Sequence, residues 1–98
     1  MIDRLARVAD VLERAERTHG IVTARTNGAD PEWPLFYAWW LLRWSELPEL
    51  LAPAPAPTIS VLAARLLALD ADYRRAAPPE PWSIVYARAL LADADARP

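Results

Sequence analysis

The sequence predicts an all-α protein, a four-helix bundle built from two αα-hairpins, and three observations carry that prediction. Four segments place apolar residues at helical spacing. Each segment is bounded by proline, by asparagine–glycine or by a side chain suited to capping. The pattern W-x-x-x-Y-A-x-x-L-L occurs twice, as Trp33, Tyr37, Ala38, Leu41 and Leu42, and 49 positions later as Trp82, Tyr86, Ala87, Leu90 and Leu91. Each copy follows a proline-rich connector, which suggests an internal duplication: hairpin one in residues 1–49, an Ala-Pro strap in 50–57 and hairpin two in 58–98.

The first helix is predicted from the stripe Leu5, Val8, Ala9, Leu12, Ala15, His19 and Val22, with Asp3–Arg7, Asp10–Arg14 and Glu13–Arg17 as i,i+4 ion pairs on its polar side. Asn27 and Gly28 should end it, because both accept the left-handed conformation of a C-terminal cap. Asp30 is the expected cap of the second helix, and Pro31 and Pro34 fit only its first turn. That helix should run to about Leu47, where Pro48 forbids its continuation. Its stripe Trp33, Tyr37, Trp40, Trp44 and Leu47 is predicted to face inward, while Leu35, Trp39 and Leu42 form a second apolar face.

The strap Ala52–Pro57 alternates alanine and proline and is predicted to be extended, about 19 Å long at roughly 3.1 Å per residue. Thr58 should cap a third helix with Ile59, Leu62, Leu66, Leu69 and Tyr73 inward and Arg65, Asp72 and Arg75 outward. The prolines of Ala77–Pro81 end it. A fourth helix should bury Trp82, Val85, Tyr86, Ala89 and Leu90 and fray in its polar end.

Composition narrows the function classes. Ninety-eight residues make one domain, with 54% hydrophobic residues and five tryptophans. Such a chain has more apolar surface than it easily hides, so a homo-oligomer or a protein partner is expected. The net charge of −2 and the interspersed arginines supply no basic patch, so nucleic acid is not an expected partner. No apolar run approaches a membrane span, and Asp3, Arg4 and Arg7 stand where a signal peptide would need apolar residues. A cytoplasmic protein is expected. Without cysteine there is no disulfide or thiolate site, and no metal or cofactor is expected.

His19, the single histidine, lies on an apolar stripe and should meet Tyr37 or Trp40 across the hairpin. It reads first as a core residue. With Tyr37 and an acid such as Glu16 or Asp30, it is also the candidate for proton transfer. Trp33, Tyr37, Trp40 and Tyr86 are the candidate lining of an aromatic pocket. Leu35, Trp39 and Leu42 are the candidate interface. Arg43, Arg65, Arg74 and Arg88 are either anion clamps or ordinary ion-pair partners of acids such as Glu46, Asp70 and Glu80. The expected function is a non-enzymatic interaction module that self-associates or binds a partner through helix two. The alternative is a small enzyme or ligand-binding protein with a pocket near His19, Tyr37 and Tyr86.

The run THGIVTARTNGADPEWPLFYAWWLL resembles a small uncharacterised bacterial family in which a His-Gly helix precedes an Asp-Pro-x-Trp-Pro-x-aromatic-Tyr-Ala motif. His19, Gly20, Asp30, Trp33, Pro34 and Tyr37 match it, over about a quarter of the chain. Val22 and Thr23 stand where the family pattern has Tyr and Glu. The resemblance implies the first hairpin and brings no activity with it.

Overall fold

The computed structural model of the chain describes residues 3–23 and 32–96, and within them the protein is an all-α bundle without strands. In chain order its helices are α1 (Arg4–Thr23), α2 (Trp33–Trp44), α3 (Leu47–Leu51), α4 (Ile59–Ala76) and α5 (Trp82–Asp95). The predicted Asn27–Gly28 terminator, the Asp30 cap and Pro31 lie outside the described residues.

Helix α1 starts where a short acid can cap it, with the Ala6 N–H donating to Asp3 Oδ1 at 2.7 Å. Asp3 therefore caps the helix instead of pairing with Arg7. Of the three predicted ion pairs Asp10–Arg14 forms, at 3.0 Å. Glu13 looks across the bundle instead, accepting a 2.7 Å hydrogen bond from Ser83 Oγ, which satisfies a hydroxyl only 1% exposed. Val8, Ala9, Leu12 and Ala15 are buried as predicted, and Val11 joins them.

Helix α2 ends at Trp44, short of the predicted Leu47, and a fifth helix follows. Ser45 sits extended between them. Its Oγ donates to the Leu41 carbonyl at 2.6 Å and accepts from the Leu47 N–H at 3.1 Å, so one hydroxyl closes one helix and opens the next. Pro48 then occupies the first turn of α3, where its missing N–H costs nothing. The proline expected to stop a helix starts one, and Leu50 and Leu51, assigned to the strap, are helical. Arg4 gathers the α3 end: Nε donates to the Leu50 carbonyl at 2.6 Å and Nη2 to the Ala52 carbonyl at 3.3 Å.

The inward line of α2 is also not the aromatic one. Pro34, Ala38 and Leu41 are buried, and Trp33, Tyr37 and Trp40 flank them half-buried. Trp44, predicted to face inward, is 67% exposed in the last turn, where the chain leaves for α3. Small residues on the central line let the helix axes approach, and the larger rings spread to either side.

Thr58 caps α4 as predicted, its Oγ1 accepting from the Val61 N–H at 3.3 Å. Leu62, Leu66 and Leu69 are buried, with Ile59 and Tyr73 packed against them. Arg65 departs from prediction. It makes a two-pronged pair with Asp93 of α5, at 2.7 and 3.2 Å, rather than facing outward. Asp95 pairs with Arg4 at 3.2 Å. These arginines hold the polar end of α5 helical through Asp95, where fraying was expected.

The hairpins interlock. Helix α1 packs most extensively along α5 and α2 along α4, so the principal seams join the two halves. Helix α1 also packs on α2, α3 closes one end, and the α4–α5 seam is sparse. The circuit around the bundle is therefore α1, α2, α4, α5 and back to α1, with the α4–α5 seam open.

Candidate functional site

Two clefts lie along the open α4–α5 seam. The one toward the start of α4, about 380 Å³, is lined by aliphatic residues including Val61, Ala64, Ala68, Leu90 and Ala94. Its charged groups, Arg65 and Asp93, already satisfy each other. The other, about 440 Å³, receives residues from all four long helices: Glu16 and His19, Trp33 and Tyr37, Asp70, Tyr73 and Arg74, Trp82 and Tyr86. Its size falls in the usual range for small-molecule sites, about 300–1,000 Å³.

The aromatic cleft has a twofold logic. Trp33 meets Tyr37 edge-to-face, with centroids 5.3 Å apart and planes at 78°. Trp82 meets Tyr86 in the same way, at 5.1 Å and 75°. Each tyrosine then contacts a ring from the preceding long helix, Tyr37 with His19 at 5.2 Å and Tyr86 with Tyr73 at 6.2 Å. One turn before each of those rings stands an acid. Glu16-x-x-His19 thus corresponds to Asp70-x-x-Tyr73, at an offset of 54 positions against 49 for the tryptophan helices. The difference reflects a connector five residues longer in the first half. The i,i+3 spacing puts acid and ring on one face.

The polar groups converge on the two tyrosines. Tyr86 Oη donates to Asp70 Oδ1 at 3.3 Å, and Arg74 pairs with Asp70 at 3.2 Å from one turn later. Tyr73 Oη donates to the Glu80 carbonyl at 2.7 Å and thereby ties α4 to the start of α5. Burial pushes the Tyr37 hydroxyl up to about 12, and the Glu16 charge adds to the effect. Tyr86 is also pushed up, by burial first and then by Asp70. Both phenols therefore stay neutral donors throughout the physiological range.

Sequence-predicted residues divide accordingly. Trp33, Tyr37 and Tyr86 reach the cleft, and His19 joins them half-buried, also touching Phe36 at 5.1 Å, rather than enclosed in the core. Trp40 packs against the core and does not line the cleft. Asp30 lies outside the described residues. On the candidate interface, Leu35 and Trp39 are 48% and 42% exposed, but Leu42 packs against the core beside Ile59 and the strap. Arg74 and Arg88 pair with Asp70 and Glu80 as anticipated, whereas Glu46 pairs with Arg14 instead of Arg43.

Arg74, a candidate anion clamp, reaches the cleft paired with Asp70, and Trp82 arrives with its repeated motif. Asp70 and Tyr73 are the unpredicted lining residues; their signal is the repeated acid-x-x-ring spacing, hidden because the two helices of each half repeat at different offsets. Glu16 and His19 are moreover a Glu-x-x-His pair on α1, a metal-ligand spacing present in the sequence although no metal site was expected from it. Among the described residues, however, no three His, Asp or Glu side chains come together to hold a metal ion. No described helix is long and apolar enough to cross a membrane. Comparison with protein-family models, curated proteins and solved structures gives no match to this chain.

Proposed function

We propose that the chain is a non-enzymatic binding module for a small molecule, with the aromatic cleft as its site. The observation that carries this reading is the meeting of both Trp-x-x-x-Tyr motifs, one from each half, in a single cleft with carboxylates at hand. A repeat that served packing alone would need its tyrosines and tryptophans only against neighbouring helices. Here nine side chains from four helices leave open space between them. Rigid aromatic walls supply contact area, and the Tyr37 and Tyr86 hydroxyls supply orientation.

A thermal-shift screen of cationic, anionic and neutral aromatic compounds tests the reading. A compound at about 100 times its dissociation constant stabilises by about 2.7 kcal/mol, a shift of roughly 10–20 °C for a chain of this size. The shift should disappear in Trp33→Leu and Trp82→Leu proteins that keep helical circular dichroism. Failure of every class, or hits that persist unchanged in both variants, would remove the cleft as the site.

A second reading is self-association through the outer face of α2. It is favoured by Leu35, Trp39 and Trp44 being exposed together, with Trp39 and Trp44 in ring contact at 6.2 Å. Light scattering tests it. Trp39→Glu should convert an assembly to a folded monomer, and a wild-type chain that is monomeric at high concentration ends this reading.

A further inference from the structure

We infer that the aromatic cleft seats the alkylated ammonium group of a small organic cation, an inference that rests on the small-molecule reading above and names its ligand class. Three ring pairs around the cleft stand nearly perpendicular: Trp33 and Tyr37 at 78°, Trp82 and Tyr86 at 75°, Tyr73 and Tyr86 at 81°. Perpendicular neighbours form the corners of a box. A flat aromatic ligand needs parallel walls to stack between, whereas a rounded alkylammonium group fits corners and meets several ring faces at once. The negative face of each ring attracts a cation within about 6 Å of its centroid, most strongly for tryptophan.

The charges agree with the rings. The lining carries two carboxylates, Glu16 and Asp70, against one guanidinium. That guanidinium, Arg74, is 77% exposed and is already paired with Asp70, so it lies toward solvent rather than among the rings. An anion seated among the rings would meet two carboxylates and five aromatic rings, with the single arginine out toward solvent. A cation meets complementary potential from both sets of groups. The cleft's volume of about 440 Å³ accommodates the cationic head with a short chain.

Titration of the purified 98-residue chain with choline, followed by tryptophan fluorescence and calorimetry, tests the assignment. Its neutral carbon isostere, dimethylbutanol, and inorganic phosphate serve as comparison probes. Choline should bind saturably and about tenfold tighter than the isostere, as one good cation–π contact implies. Trp82→Leu should weaken choline by about tenfold or more while leaving the isostere less affected. Glu16→Gln, a change at an exposed rim position, should weaken choline by a few-fold and serves if the tryptophan variant fails to fold.

Equal binding of choline and isostere, both lost in Trp82→Leu, would overturn the cation assignment while leaving the small-molecule site standing. Phosphate binding more tightly than choline would overturn it in favour of Arg74. Choline binding unchanged in both Trp82→Leu and Glu16→Gln would place any cation elsewhere. A trimethyllysine peptide binding more than tenfold tighter than choline would overturn the small-molecule form in favour of a protein partner. If no probe binds, and the screen described above also fails, the site and its ligand class fall together.

Discussion

The two copies of the W-x-x-x-Y-A-x-x-L-L pattern invite comparison position by position. Ala38 and Ala87 are both fully buried, Leu41 and Leu90 are both buried, and Leu42 and Leu91 are both half-buried against the core. Each Trp–Tyr pair has the same edge-to-face geometry. What differs is what faces the tyrosines: Glu16 and His19 in the first half, and Asp70, Tyr73 and Arg74 in the second. The repeated residues are those that set packing and wall geometry. The asymmetry lies in His19 standing where the second half has Tyr73, and in Arg74, whose counterpart position is Gly20. A symmetric frame thus carries an asymmetric site, as a single unsymmetrical ligand would require.

The comparison breaks most readily at the buried leucines. Leu41→Ala and Leu90→Ala each remove a buried side chain, so each should destabilise the fold by about 2–5 kcal/mol. Because the main seams run between halves, α1 on α5 and α2 on α4, loss in either half should lower one cooperative transition. Chemical denaturation followed by circular dichroism checks this. Two separable transitions, or one variant unfolding only its own hairpin, would show that the halves fold independently.

That interlocking was not legible in the sequence, whereas most of the helices were. Thr58 announced α4 because a hydroxyl before an apolar run caps by a local rule, and the stripe from Ile59 to Tyr73 is a property of the chain alone. Pro48 misled because the residue that breaks one helix suits the first turn of another; Ser45 decides between them through two local hydrogen bonds, one to the Leu41 carbonyl and one from the Leu47 N–H. The central line of α2 misled because burial follows position, not bulk: Pro34 and Ala38 lie between α2 and its neighbours while Trp44 stays outside. Trp33, Tyr37 and Tyr86 were identifiable as pocket residues from their repeated motif. Asp70 and Tyr73 were not, since the acid-x-x-ring spacing they share with Glu16 and His19 recurs at 54 positions, out of step with the 49 of the tryptophan helices.

A smaller effect should separate the two tyrosines. Tyr86 donates to Asp70 and Tyr37 shows no comparable bond, so at neutral pH Tyr86→Phe should cost about 1 kcal/mol and Tyr37→Phe less. Alkaline pH reverses the emphasis. The folded state holds Tyr37 at about 12, above the ordinary 10, by burial and then by Glu16. Its neutral form therefore contributes stability that is complete below pH 10 and is lost as pH rises toward 12. Tyr37→Phe should reduce that alkaline loss, leaving the share carried by the likewise raised Tyr86. Denaturation at a series of pH values, with tyrosinate absorbance recorded in parallel, measures it, and an unchanged alkaline limb would contradict the burial of the Tyr37 hydroxyl.

The smallest effect concerns the connectors, of which only the first contains a glycine. The first connector contains Gly28, whereas the second ends α4 with Ala77 at φ 45°, in the left-handed region, its N–H donating to the Tyr73 carbonyl at 2.8 Å. A Cβ in that conformation crowds the backbone at a cost of roughly 1–2 kcal/mol. Ala77→Gly removes that crowding but adds about 0.4–1 kcal/mol of unfolded-chain entropy, which leaves a net gain of about 0.5–1 kcal/mol. The melting temperature should rise by a few degrees. Its neighbour Ala76 is exposed too but lies inside α4 with helical backbone, so Ala76→Gly should instead lose about 0.5–1 kcal/mol. Opposite signs at adjacent alanines separate backbone strain from any general effect of glycine at the end of α4. Melting curves that fall together for both variants would mean that the left-handed cap at Ala77 carries no strain for glycine to relieve.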